Sequence, residues 1–398
     1  MNFSKRTEWN TEESALSRAH RLRLLAGLPV ADLTVSNPTR CGFKYGADLL
    51  SGLTDTNVMD YDPQPLGLLC AREAVCGYYA DQGVKISPER VVLTTSTSEA
   101  YSFLFKLLCD PGSEIVVPQP GYPLFDFLAV LDDVKVKGAS LVYDHGWQIE
   151  PEGFRRALTP GTRAIVLVHP NNPTGHFTKG WEALELAAIC RERGIALIVD
   201  EVFLDYGFAQ PEAVSFAAGL DGVDVYVVSG LSKIAGLPQM KSAWIVATGP
   251  HAAAAMERLE VIGDTFLSMN APVQASIPGW IEGRDEIQRQ ITARVTGNLA
   301  ELDRQLKAVD VVRRLEVEGG WYAVLRIPAL QPDEKTVLEL LEKGVWLHPG
   351  YFFGMEEAGW LVMSLLGPVK EFQTGTHRIV NYFRTHQGDN NCLVDHQV

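Results

Sequence analysis

Residues 195–203 read IALIVDEVF, and residues 227–244 read VVSGLSKIAGLPQMKSAW. Both open with an apolar run that shows no in–out alternation. A strand written this way is covered on both faces, as in parallel sheets flanked by helices. Asp200 closes the first run, and Lys233 follows the second in a loop of serines, glycines and apolar residues. Lys241 lies eight positions after Lys233. A lysine in that setting is either an incident of the loop or an amine that does chemistry, and the rest of the chain decides between them.

Working outward, RAIVLVHPNNPTG (163–175) is a third apolar strand, ending in Pro-Asn-Asn-Pro, and WEALELAAICRERG (181–194) is an amphipathic helix closed by Gly194. RVVLTTSTSEAYSFLFKLLC (90–109) reads as strand, Ser/Thr turn and buried helix, and EIVVPQPGYPLFDFLAVL (114–131) repeats that order. Nearer the N-terminus, residues 12–26 and 66–83 carry helical periodicity, and VADLTVSNPT (30–39) reads as a short strand running into a turn. After about residue 285 the alternation of strands and helices stops. A long helical segment (286–309) precedes strands near WYAVLRI, VWLHPG and WLVMSLL, then a final helix, which together read as a smaller α+β domain. The polar end RTHQGDNNCLVDHQV (384–398) reads as a loose tail.

The chain has 398 residues, of which 46% are hydrophobic and 21% charged, enough for a large core. A net charge of −14 argues against nucleic acid or an anionic membrane as the main partner. Cysteines stand at 41, 70, 76, 109, 190 and 392 with no C-x-x-C pair, so reduced, mostly buried thiols in a cytoplasmic protein are expected. The opening MNFSKRTEWNTEES has no apolar core of the kind signal peptides use, and no apolar run approaches the roughly 20 residues of a membrane span. G-x-x-x-x-G-K-[ST] and H-E-x-x-H are absent, so neither a P-loop nor a metal site is expected.

Ligands of parallel α/β sheets bind beyond the carboxyl ends of the strands. Those ends carry TTSTSE (94–99), HPNNPTG (169–175), DEVF (200–203) and SGLSK (229–233). Each alone is also what ordinary helix capping produces. Taken together they assemble into one site. TTSTSE opens a helix, whose N–H groups and hydroxyls suit a phosphate, and Lys241 adds a positive charge. Asp200, at the end of an apolar strand, needs a cationic partner, and a protonated ring nitrogen would serve. Asn172 can donate to a phenolic oxygen on the same ring. Lys233 can condense with an aldehyde, a reaction favoured when surroundings depress the amine's pKa. Phosphate, pyridinium, phenolate and aldehyde together describe pyridoxal 5′-phosphate.

With NNPTG, DEVF and SGLSK in this order, a cation eight residues later, GYP around Tyr122 and YDPQPLGLLCAREAV from Tyr61, the chain resembles the class I/II aminotransferases, the fold-type I pyridoxal-phosphate enzymes. The resemblance runs from the N-terminal helix to about residue 385. It implies a large domain over 48–285 with a mostly parallel seven-stranded sheet, and a small α+β domain from 1–47 and 286–398. It implies that Lys233 carries the internal aldimine and shuttles the substrate proton, and that Asp200 keeps the ring nitrogen protonated. Asn172 faces the phenolate and Tyr122 stacks on the ring. Ser96, Thr97, Ser232 and Lys241 surround the phosphate, and Tyr61 reaches the phosphate of the neighbouring subunit of a homodimer. Asn37 and Arg40 fall on the substrate side, where an amine donor and a keto acceptor use one site in turn. His169 and His348 read as structural.

The chain departs from that pattern at four places. Phe203 stands where a tyrosine donates to the phenolate, Gly230 stands where a hydroxyl precedes the lysine, and Lys241 replaces an arginine. The arginine that holds the substrate α-carboxylate falls on Val362, in GWLVMSLLG. Either another cation, Arg40 or Arg326, takes over that carboxylate, or the donor lacks one. The same parts would serve a β- or γ-eliminating lyase, a cyclising synthase or a catalytically degenerate paralogue.

Overall fold

The apolar runs identified above form strands because a β-branched backbone buried on both faces can satisfy its N–H and C=O groups only through neighbouring strands. The computed structural model describes residues 2–208 and 214–394. In chain order its strands are β1 (Ala31–Asp32), β2 (Val91–Thr94), β3 (Glu114–Gln119), β4 (Lys135–Tyr143), β5 (Trp147–Ile149), β6 (Thr162–Val168), β7 (Ala196–Asp200), β8 (Val225–Gly230), β9 (Ala243–Thr248), β10 (Arg313–Arg314), β11 (Tyr322–Arg326), β12 (Val345–Trp346), β13 (His348–Pro349) and β14 (Trp360–Ser364).

The large sheet has the order β2-β9-β8-β7-β6-β3-β4-β5. Strands β4, β3, β6, β7 and β8 run parallel, β9 runs against both β8 and β2, and β5 is the return strand of a hairpin with β4. Eight strands are present where seven were expected. The extra one is the three-residue β5, a stretch too short to show a period in sequence.

Successive side chains of each central strand enter two separate cores. Leu197, Val199, Val225 and Val227 face one, with helices Leu69–Asp81 and Ala271–Glu282. Ala196, Ile198, Tyr226 and Val228 face the other, with helices Thr97–Leu108 and Ala252–Phe266. This double covering is the reason the strand sequences do not alternate.

A second sheet of order β10-β11-β14-β13 is antiparallel throughout, and β1 pairs in parallel with β12. The short strand running into a turn expected over 30–39 is β1 followed by the turn at Pro38–Arg40. Helix Arg284–Leu306 packs on this part, its Ile287, Ile291, Val295 and Leu302 sharing a core with Phe372 and Ile379 of helix Val369–Val394. That last helix continues to Val394, through residues expected to form a loose tail, and residues 395–398 lie outside the described part. Once the buried turns around Phe372 and Ile379 are nucleated, each further residue adds a hydrogen bond at little cost, so weak formers such as Gly388 and Asn390 are carried along.

The thiols are less buried than expected. Cys41 and Cys190 are enclosed, Cys76 and Cys109 are half-buried, and Cys70 is exposed. Cys70 lies on the outer face of a helix that turns Ala71, Val75, Tyr78 and Tyr79 inward. Those five are free thiols.

Candidate active site

Strand register gathers the turns singled out in the sequence. Asp200 stands opposite Val168 on one side and Val228 on the other, while Ala243 stands opposite both Gly230 and Thr94. The Asn172 loop, Asp200, the Lys233 turn, the Ser96–Thr97 turn and Lys241 therefore all leave the sheet at one end, the carboxyl edge of its parallel strands.

Lys233 lies in a single helical turn, Leu231–Ile234. Its backbone is pinned from three directions. The Tyr206 hydroxyl donates to the Lys233 carbonyl at 2.7 Å, the Tyr45 hydroxyl to Gly236 O at 2.7 Å, and Gln288 Nε2 to Ile234 O at 2.9 Å. A Cβ on Gly230 would lie 2.8 Å from both the Ala243 Cβ and the Ser242 carbonyl oxygen. The close approach of the paired strand β9 thus leaves no room for a side chain, which accounts for the hydroxyl missing three residues before the lysine. Lys233 Nζ lies 5.0 Å from the centre of the Trp321 ring and 5.7 Å from that of Phe203. Burial against these rings lowers the amine from its usual 10.5 to about 8, and the charge of Asp200 opposes the drop. About a tenth of such an amine is neutral, and nucleophilic, at pH 7, where an ordinary lysine is almost wholly charged.

Asp200 is buried at the end of β7. Its Oδ1 accepts the Val202 N–H at 3.0 Å and its Oδ2 accepts the Tyr101 hydroxyl at 3.1 Å. Burial raises the carboxyl to about 6, against the pull of these two donors and of Lys233. Asp200 forms no ion pair among the described residues. Asn172 is also buried, and its Oδ1 has no hydrogen-bond partner among the described residues. The neighbouring Asn171 ties the loop down by donating to Pro120 O at 3.0 Å and to Thr174 Oγ1 at 2.9 Å. Downstream, His176 Nε2 meets Glu182 Oε2 at 2.9 Å and its Nδ1 faces Glu318 Oε2 at 3.5 Å, while Lys179 also pairs with Glu318. Glu318 lies just ahead of Trp321, so this network joins the Asn172 loop to the segment that covers Lys233. Tyr122 is half-buried, edge-on to Phe125 at 5.8 Å, and burial pushes its phenol up to about 12.

Ser96 is the N-cap of helix Thr97–Leu108, its Oγ accepting the Glu99 N–H at 3.1 Å. Glu99 Oε2 in turn accepts the Thr95 N–H at 2.6 Å. These two bonds fix a helix start whose first-turn N–H groups, including that of Thr97, point out of the helix. Ser229 and Ser242 are buried nearby with unpartnered hydroxyls, and Ser232 is half-buried. Lys241 is exposed, in a left-handed backbone conformation at φ 52°, and forms no ion pair among the described residues.

His169 donates its backbone N–H to Asp200 O at 2.7 Å, at the edge of this cluster. Tyr61 is 84% exposed and Met59 81%. Asn37 Oδ1 accepts the Thr39 N–H at 3.1 Å and the Thr39 hydroxyl at 2.8 Å, so it caps the Pro38–Arg40 turn, and Arg40 is exposed beyond it. Arg326 stacks on Trp360 at 4.3 Å and donates to Ala358 O at 3.0 Å, which gives its charge a structural use. Val362 is fully buried between Val324 and His348. His169 and His348 are held neutral by burial, at about 3 and about 4. Their neighbours are the rings of Phe177 and Phe216 for the first, and of Phe352 and Phe353 for the second.

Tyr101, Tyr206 and Trp321 were not singled out in the sequence. For the two tyrosines the available signal was the hydroxyl, since a buried tyrosine ordinarily finds a polar partner. Trp321 carries no local signal.

Among the described residues the arrangement supplies a buried carboxylate in no ion pair, an amine whose charge is disfavoured, an unpartnered amide oxygen, unpartnered hydroxyls, a helix start and a cation in no ion pair. That donor set suits a phosphorylated aldehyde on a ring with a basic nitrogen.

Comparison with known proteins gives the same picture. The family described as aminotransferase class I and II matches residues 54–379. The glutamate-pyruvate aminotransferase AlaA of Escherichia coli K12 is 27% identical over 341 residues, covering 82% of this chain and 84% of that protein. The S-alkyl-thiohydroximate lyase SUR1 of Arabidopsis thaliana is 29% identical over 227 residues, covering 55% and 49%. The solved structure of an alanine aminotransferase from Pyrococcus furiosus superposes with a TM-score of 0.88 at 23% identity, covering 96% of this chain and 100% of that one.

Proposed function

The chain belongs to the class I and II aminotransferases, and we propose that it exchanges an amino group between an amine donor and a keto acceptor on pyridoxal 5′-phosphate held at Lys233. The observation that carries this assignment of residues is the pairing of a lysine depressed to about 8 with a buried carboxylate that has no other cation, at one edge of the sheet. When bound, the cofactor supplies the carbonyl that takes the amine and the ring that accepts electrons from Cα. Asp200 holds the ring nitrogen protonated. Asn172 donates to the ring oxygen, and Tyr122 covers a face of the ring. Ser96, Thr97, Ser232 and Lys241 hold the phosphate. With the cofactor in place, the Lys233 amine would take and return a proton at the substrate Cα. Trp321 and Phe203 keep water from that amine, so that its neutral form remains available near neutral pH.

The exposed Tyr61 and Met59 line a surface cleft with Leu267, Met269 and Pro272. An apolar face of this kind supports a homodimer in which Tyr61 reaches the partner's phosphate. Val362 and its apolar neighbours leave no cation where an α-carboxylate would be held, which favours a donor bound by other groups. A lyase outcome is the second reading, favoured by the 29% identity to the Arabidopsis lyase.

Reconstitution with pyridoxal 5′-phosphate, borohydride reduction and peptide mapping test the assignment. A pyridoxyl group on Lys233 is expected, and a protein that stays colourless, or a label elsewhere, defeats it. Adding amine donors then separates the outcomes. Accumulation of the pyridoxamine form indicates transamination, and keto-acid release with retention of the aldehyde form indicates a lyase.

A further inference from the structure

Asp200 is fixed by more than its own strand. Its two oxygens have separate donors, the Val202 N–H at 3.0 Å and the Tyr101 hydroxyl at 3.1 Å. Tyr101 is 1% exposed and Asp200 5%. Tyr101 sits one turn into the helix that Ser96 caps and Thr97 begins. One rigid element therefore presents its first turn to the position of the phosphate and its second turn to the acid that faces the ring nitrogen. We infer that Tyr101 is a positioning residue, whose hydroxyl fixes the plane and the ionised state of the Asp200 carboxylate for a cationic ring nitrogen. This rests on the cofactor reading above.

The ring of Tyr101 has an ordinary packing role, edge-on to Phe125 at 5.2 Å and tilted on Phe105 at 6.1 Å. Phenylalanine would fill that space equally well. The hydroxyl is what packing does not explain, and its partner among the described residues is Asp200 Oδ2. The charged and titratable groups around Asp200 come from five elements. They are Tyr101 on its helix, Lys233 on the turn after β8, Tyr122 on the loop after β3, Tyr79 on helix Leu69–Asp81, and the adjacent Glu201. Glu201 turns away, to accept from the Ser215 hydroxyl at 2.7 Å and the Phe216 N–H at 2.6 Å. Lys233 is committed to the cofactor once the cofactor is bound. Tyr101 and the Val202 N–H then remain as the protein's own donors to the carboxylate, and only Tyr101 can be changed by substitution.

Burial pushes the Asp200 carboxyl up to about 6, and the Tyr101 hydrogen bond pulls against that rise. A hydrogen bond to a buried charge lost in Tyr101→Phe moves the carboxyl up by about one pH unit. Near neutral pH part of the acid is then protonated and cannot pair with a protonated ring. The test measures pyridoxal 5′-phosphate affinity of the full chain from pH 5.5 to 9 for the natural protein, Tyr101→Phe, Asp200→Asn and the double variant. The ratio of natural to Tyr101→Phe affinity cancels the cofactor's own titrations. The proposal expects binding about tenfold weaker at the acid end, a ratio that shrinks as pH rises, and an inflection about one unit higher. It expects no further effect of Tyr101→Phe in the Asp200→Asn background. A second probe, tyrosine fluorinated beside its hydroxyl at 101, is a stronger donor and should shift the inflection downward. That opposite sign is not available to a loss of packing.

Equal pH profiles for the natural protein and Tyr101→Phe, with Lys233 still trapped by borohydride, overturn the proposal and leave the cofactor reading standing. A pH-independent loss does the same and returns Tyr101 to a packing role. Failure of the natural protein to take up the cofactor overturns both.

Discussion

Replacing Lys233 by methionine should make the cofactor-free protein more stable at neutral pH, although it removes the residue on which activity depends. The amine falls from its usual 10.5 to about 8 on folding because Trp321 and Phe203 strip its water, with Asp200 opposing. The difference of roughly 2.5 corresponds to about 3 kcal/mol, at about 1.4 kcal/mol for each pH unit. The sign follows from proton counting. Between about 8 and 10.5 the unfolded chain holds a proton at this site that the folded chain has lost, so stability rises with pH across that window. Below about 8 both states are protonated and the folded state bears the whole penalty of a buried cation. Methionine keeps the stem and its packing without the charge. Lys233→Met should therefore exceed the natural protein by up to about 3 kcal/mol at pH 7, and the two should converge near pH 10.5. Urea denaturation of both proteins from pH 7 to 10.5, read as midpoint at constant slope, measures the difference. Cys41, Cys76 and Cys109, raised to about 11 by burial, titrate in both proteins and cancel. Asp200, at about 6 in the natural protein, loses the pull of Lys233 in the variant and rises, a difference that acts only at the acid end of the window. A flat difference curve, or a variant less stable at pH 7, would refute the claim that this amine is buried at the expense of its charge.

Lys241→Ala should weaken pyridoxal 5′-phosphate binding about fivefold, the scale of one exposed charge contact, and leave binding of unphosphorylated pyridoxal unchanged; equal losses for both would remove Lys241 from the phosphate. Ser96→Ala should lower stability by about 1 kcal/mol through its lost cap, in addition to any effect on the cofactor, as urea melts of the apo protein would show. Aspartate should be a poor amine donor beside amines without an α-carboxylate, because Val362 is buried in an apolar wall; brisk aspartate turnover in a donor screen defeats that expectation. Burial opposes protonation of His176, but its hydrogen bond to Glu182 and the nearby charge of Glu318 win and raise it. The stability it contributes is full below pH 6.5 and is lost as pH rises through the raised value. Glu318→Gln should move that loss to lower pH, measured by denaturation across pH 5 to 9.

The sheet and its edge were legible in the sequence because both faces of each central strand are buried. Runs such as Ile195–Val199 and Val225–Val228 cannot alternate, and each stops where the chain meets the polar turns that carry Asp200 and Lys233. The hairpin strand β5 was not legible, being three residues long. Nor was the continuation of the last helix to Val394, because helix propagation from a buried segment overrides local propensity.

The sequence by itself determined which chemical groups are available and in what order. It set a lysine after a buried strand, an acid at the end of another, and hydroxyls and asparagines at the turns, since covalent order and hydrophobic pattern are local properties. Only the tertiary structure decided how those groups are tuned. Trp321 comes from a segment 88 residues beyond Lys233, and Tyr101 from a helix 99 residues before Asp200, and each meets its target through contacts that no local pattern encodes. Burial and hydrogen bonding set the protonation of Lys233 and Asp200, and both depend on which distant side chains the folded chain brings into contact.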